Sequence, residues 1–190
     1  KTTLWGDGEW FKVIRVAAEE LYGIERYERT AMLVDISEEE SYVMDLFRVV
    51  GGTDHARFLH SGFGEIAVEG VVLREAEEYG YGTQMRNFRG EDLVAPGWSA
   101  DWKIEDRYGV RPGEEVHLRY TDLTKETGAF VAEAWVSLGY DEENAEAWIP
   151  RLMMRRQGED PLASTFVGVL EPYEGKSSIN NISRLSLETE

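Results

Sequence analysis

Between Tyr42 and His60 the chain reads YVMDLFRVVGGTDHARFLH, a run of β-branched and aromatic residues broken once by Gly51-Gly52-Thr53-Asp54. It has no helical period. Tyr42, Met44, Leu46 and Val50 share one parity, and Val43, Phe47 and Val49 the other. A strand that is apolar on both faces is expected at the centre of a sheet with material on each side. Glycine accepts the positive φ of a tight turn, so the pattern predicts a hairpin in which Arg57–His60 returns along Tyr42–Val50 and His60 lands near Met44 or Asp45. Asp45 and Arg48 differ in parity and point to opposite faces. Each therefore needs a partner elsewhere, and structural ion pairs are the expected solution. His60 shares parity with Phe58, which predicts a packed position.

The same alternation recurs along the chain. Trp10–Ala17, Tyr27–Asp35, Ile66–Leu73 and Trp98–Ile104 read as strands. Glu115–Tyr120 alternates cleanly, placing His117 outward and idle, and Thr127-Gly128 is expected to turn the chain into Phe130–Leu138 as a second hairpin. Asp141–Trp148 reads as a helical turn ended by Pro150. Leu152–Arg156, Thr165–Leu170 and Ile179–Leu187 read as closing strands, with 171–175 as the bend between the last two. Glu75–Gly82, ending Tyr79-Gly80-Tyr81-Gly82, is a polar aromatic loop. Roughly ten or more strands at short spacing, little helix, and no repeat or linker predict an all-β fold: a two-sheet antiparallel β-sandwich forming one domain over residues 1–190.

Composition narrows the function. The 190 residues hold 20 Lys plus Arg against 37 Asp plus Glu, a net charge of −17. That balance argues against nucleic acid and anionic membrane as partners. With no cysteine there is neither a disulfide nor a thiolate metal site. No apolar run is long enough to span a membrane as a helix. The opening Lys1-Thr2-Thr3-Leu4-Trp5 reads like the interior of a longer chain.

The sequence contains no HExxH, no GxSxG and no glycine-rich phosphate loop. Two histidines and a carboxylate suffice chemically for zinc, but His55 and His60 differ in parity and no metal site is expected from them with Asp54. Asp141-Glu142-Glu143-Asn144 lacks the alternating ligands and central glycine of a calcium loop. Trp98 and Trp102 share a strand face that could stack on sugar rings, although such a pair is more often core or covers a neighbouring domain. With Tyr79, Tyr81 and His60 they make up the candidate substrate contacts. No residue stands out as catalytic.

Four phrases, in order, carry a resemblance: Tyr27–Asp35 (YERTAMLVD), Tyr42–Gly52 (YVMDLFRVVGG), the H-x4-H of His55 and His60, and Ser164–Gly175 (STFVGVLEPYEG). Together they resemble the β-sandwich of the heparinase II/III-like polysaccharide lyases, from about Trp10 to Leu187. The resemblance implies β-elimination at C4 of a uronic-acid sugar by a Tyr and a His, with a helical domain preceding the sandwich and an extracellular or periplasmic location. The family's H-x-H and H-N-T segments, which supply catalytic and zinc-binding histidines, have no counterpart here. No catalytic residue and no cofactor is therefore carried onto this chain, although zinc would be possible in a parent protein. The expectation is a fragment of a longer lyase that frames an acidic-polysaccharide site and is inactive alone. The alternative is a stand-alone carbohydrate-binding or protein-interaction module.

Overall fold

The computed structural model describes residues 1–19, 21–137 and 146–185. Thirteen strands carry the described chain: β1 Thr2–Asp7, β2 Phe11–Ala17, β3 Arg26–Asp35, β4 Ser41–Val50, β5 Asp54–His60, β6 Gly64–Glu69, β7 Arg74–Glu75, β8 Met85–Val94, β9 Ser99–Ile104, β10 Val116–Asp122, β11 Thr127–Ser137, β12 Glu146–Gln157 and β13 Ala163–Glu174. They form an eight-stranded sheet ordered β1-β2-β3-β4-β13-β10-β9-β6 and a five-stranded sheet ordered β5-β12-β11-β8-β7, with every pairing antiparallel. This is the expected all-β sandwich, and β4 is central in the larger sheet.

The core fills the space between the sheets. Trp98, Trp102 and Tyr120 of the large layer meet Val131, Leu152 and Met154 of the small one. A second, smaller cluster of Phe88, Phe130, Ala132 and Met153 lies on the other face of the small sheet, where Ala76 and Tyr79 pack against it. Tyr79 sits with its ring 5.5 Å from that of Phe58.

Neither expected hairpin forms. β5 pairs with β12 in the small sheet, not with β4. Both edges of β4 are already taken, by β3 and β13. A strand has only two hydrogen-bonding edges, so the chain after Val50 must leave the layer. The double glycine is the arch that carries it across. Gly51 has φ 118° and Gly52 φ 71°, and a Cβ on Gly51 would stand 2.4 Å from the Gly23 carbonyl oxygen. The same applies to the second case: β10 is flanked by β9 and β13, so β11 crosses to the small sheet between β12 and β8.

Other expectations are corrected at the ends of strands. Residues 171–174 belong to β13, and the bend comes at Gly175 with φ 65°. No strand is present at 179–185. Of the expected helical turn, residues 141–145 lie outside the described residues, while 146–150 open β12. Pro150 is accommodated within a strand because the β5 ladder ends at His60 opposite Arg151, leaving β11 as the neighbour of β12 beyond that point. β1, β7 and β8 were not expected: β1 and β8 mix polar and apolar residues without clean alternation, and β7 is only the polar pair Arg74–Glu75.

Candidate functional site

Asp45 projects from β4 between the sheets. Arg57 of β5 reaches it from the opposite layer, Nη2 to Oδ2 at 2.5 Å, and Arg29 of β3 binds both carboxylate oxygens, Nε to Oδ1 at 3.0 Å and Nη2 to Oδ2 at 2.6 Å. The Asp45 and Arg57 side chains are 1% and 5% exposed, while that of Arg29 is half exposed. The Asp45 hydrogen bond raises the Arg29 pKa against the opposing effect of burial. Two guanidinium groups thus share one carboxylate, and Arg57 Nη1 is buried without a partner. Arg48, on the other face, lies 3.9 Å from Glu28. The charges set into this apolar strand are ion-paired, as expected.

The cluster borders a groove of about 570 Å³. One wall is Val16, Tyr27, Arg29 and Phe47 of the large sheet; the other is the run 56–60 of β5. The groove exists because the large sheet is wider. β5 is the edge of the small sheet and sits over β4, so β1, β2 and β3 extend past it.

His55 and His60 point to opposite sides of β5, as their parity requires. His55 is buried and its ring is fully engaged: Nδ1 lies 2.8 Å from Ser164 Oγ, and Nε2 lies 2.6 Å from the Gly51 carbonyl oxygen. A carbonyl only accepts, so Nε2 donates and Nδ1 accepts the Ser164 hydroxyl proton. The ring closes the inner side of the glycine arch. His60 is exposed, not packed, with Nδ1 3.0 Å from the Ser61 carbonyl oxygen. It lies at the end of β5, past the packing that covers Phe58. These positions do not fit a zinc ion, and among the described residues no three His, Asp or Glu side chains converge to hold a metal.

His117 is not idle. On the outer face of the large sheet its Nδ1 lies 2.5 Å from Asp101 Oδ1, and its ring stacks on Tyr173 at 4.8 Å. Tyr173 donates its hydroxyl to the other Asp101 oxygen, at 2.5 Å. Burial, then this bond and the Asp101 charge, raise the Tyr173 pKa, so the phenol is held as a donor. Beside it, Arg119 donates to Glu171 Oε2 at 2.7 Å, to the Ser177 hydroxyl and to the Ile179 carbonyl oxygen at 2.6 Å, tying the segment after β13 to the sheet. Sequence reading missed Asp101 and Tyr173. Both have outward parity beside His117, but only the register of β9, β10 and β13 brings them together.

The aromatic candidates separate. Trp98 and Trp102 are 3% and 1% exposed in the inter-sheet core, and their indole N–H groups find no acceptor. Neither ring offers a face to a sugar, which removes both from the substrate contacts. Tyr81 is fully exposed, and Tyr79 is half-buried with the Arg155 guanidinium 5.0 Å from its ring. Tyr79, His60 and Phe58 belong to the outer side of the small sheet.

No family model matches the sequence, and no curated protein matches it. Solved structures do match in fold. The heparan sulfate lyase HepC from Pedobacter heparinus is similar with a TM-score of 0.56 and 14% identity, over 94% of this chain and 22% of that one. A structure described as the heparinase III BT4657 gene product is similar at 0.58 and 11% identity, over 92% and 21%. Another, of heparinase III, is similar at 0.52 and 10%, over 93% and 21%. The chain thus has the fold of one domain in these enzymes and spans about a fifth of their length. Among the described residues, no helix is long and apolar enough to cross a membrane.

Proposed function

We propose that this chain is the β-sandwich part of a heparinase II/III-like polysaccharide lyase, and that it frames a uronic-acid polysaccharide site without supplying the catalytic groups. The observation that carries this reading is the fold match across more than nine-tenths of the chain to three lyase structures. The chemistry is consistent with it: the His, Tyr and cation that do meet, His117, Tyr173 and Arg119 on the outer face of the large sheet, are engaged by Asp101 and Glu171. His55 is fully bonded in the core, and Tyr173 is a committed donor to Asp101. The catalytic residues, a helical domain before Lys1, any zinc and an extracellular or periplasmic address belong, on this reading, to the longer protein. His60, Tyr79 and Tyr81 are the substrate-facing groups this chain would contribute.

Two experiments test the reading. The isolated chain, incubated with heparin, heparan sulfate, alginate or hyaluronan, is expected to yield no unsaturated uronate absorbance; robust turnover on any of them overturns the framing role. Reading the gene upstream is expected to reveal a helical domain and an H-x-H segment, whereas a stop or an unrelated module there sinks the proposal. A stand-alone carbohydrate-binding module is the second reading, favoured by one feature: the exposed Tyr81 ring between Gly80 and Gly82. Oligosaccharide binding by the isolated chain that is lost on Tyr81→Ala would support it.

A further inference from the structure

The two sheets do not match in width, and the mismatch leaves a particular shape exposed. Among the described residues β5 pairs only with β12, so its other edge carries unpaired backbone donors and acceptors. Such an edge is a template for another strand. Beside it, the inward side of β2 and β3 continues the face that forms the core under β4 and β13, but without a layer above it. Register puts Trp5, Ile14, Val16, Tyr27 and Arg29 on that side. Trp5 is 71%, Tyr27 44% and Val16 40% exposed. An apolar sheet face next to an open strand edge is half of a sandwich with one strand missing.

We propose that the β5 edge accepts an extended polypeptide segment from a partner as a sixth strand of the small sheet, laid across Val16 and Tyr27. Its chemistry follows from the groove. The seven residues of β5 run about 23 Å at roughly 3.3 Å per residue, room for a strand of similar length. Side chains turned toward the large sheet meet Val16, Tyr27 and Phe47 and are apolar at alternate positions. Arg29 and Arg57 share the single Asp45 carboxylate and leave a local positive charge, with half of the Arg29 side chain facing solvent. One Asp or Glu of the incoming strand answers it. A second copy of this chain is a poor occupant, because each copy carries −17 and like charges of that size repel. The inference is independent of the lyase reading: it requires only the open edge and the uncovered face.

The test uses the 190-residue chain and a displayed library of random nine-residue peptides. Selection is expected to enrich sequences with alternating apolar residues and one Asp or Glu. Synthetic versions should slow amide hydrogen exchange in residues 54–60, and prolines at two adjacent central positions, one of which must face β5, should abolish binding. Val16→Lys combined with Arg29→Gln changes exposed side chains and should weaken binding at least tenfold. Exchange mapping on the unaltered protein stands even if that variant folds poorly. No enrichment, peptides that protect another surface, or binding indifferent to the prolines overturns the proposal. So does a dimer in sedimentation that protects the same residues, or protection of 54–60 by a heparan sulfate oligosaccharide and not by peptide.

Discussion

Asp45 of one sheet and Arg57 of the other meet at 2.5 Å in the interior, and this is the direct charge contact between the two layers near the open side of the sandwich. Both side chains are nearly sealed from water. Breaking a buried pair by removing one partner leaves a charge without compensation, which costs about 3–5 kcal/mol. Asp45→Ala is therefore expected to lower the urea midpoint severely, since it strands Arg57 and also releases Arg29. The double variant Asp45→Leu with Arg57→Met removes both charges together and is expected to be more stable than Asp45→Ala alone. Equal destabilisation of the two would mean that water reaches Arg57 and that the pair is not sealed.

The three histidines should respond in a definite order. His55 is buried with both ring nitrogens bonded, so His55→Ala is expected to cost about 1–3 kcal/mol from the lost bonds alone, more with the cavity. His117 loses a bond to Asp101 and a stack on Tyr173; its alanine variant is expected to cost about 1 kcal/mol. His60 is exposed with one local backbone bond, and its variant should stay within about 0.5 kcal/mol of the unaltered protein. Urea midpoints at neutral pH rank them. A His60 effect as large as that of His55 would show a packed environment that the structure lacks.

What sequence reading recovered and what it missed divide along one physical line. Alternation assigns faces: it placed Asp45 and Arg48 on opposite sides, separated His55 from His60, and set His117 outward. It does not assign neighbours. Nothing in Gly51-Gly52 distinguishes a turn within a sheet from an arch between sheets, because both need positive φ. The decision is made at a distance, by β13 occupying the β4 edge that β5 would have used. The same limit hid the His117 cluster, whose members come from β9, β10 and β13. It also hid the fate of Trp98 and Trp102, since shared parity fits a core pair and a sugar platform alike, and only the opposing layer decides.

Gly168 offers a sharp test of how the core is closed. It lies opposite Asp45 in β4 and Asp122 in β10, and a Cβ there would stand 2.1 Å from the Tyr120 ring. Tyr120 is fully buried and donates to Asp122 at 2.6 Å, so the ring cannot simply swing away. Gly168→Ala should cost about 1–3 kcal/mol, as overpacking of a filled core does. A neutral Gly168→Ala variant would show that the ring packs elsewhere.

Tyr173 predicts a loss of stability at alkaline pH. Its phenol is raised above the ordinary value near 10, first by burial and then by the bond and charge of Asp101. The folded protein therefore holds this proton more tightly than the unfolded chain. Where the folded state binds more protons, stability falls as pH rises. The contribution of Tyr173 is thus complete below pH about 10 and is lost as pH climbs through the folded value. Tyr120 is raised likewise, by burial with Asp122 beside it, so its contribution runs in the same direction and does not mask the sign. Tyr173→Phe keeps the ring that stacks on His117 and removes only the titrating group. Urea midpoints between pH 7 and 11 should fall more steeply above pH 10 for the unaltered protein than for the variant. In a phenolate absorbance titration, the step missing from the variant should lie above pH 10. A missing step at or below that value, or parallel stability curves, would mean that Tyr173 is open to water and not held by Asp101.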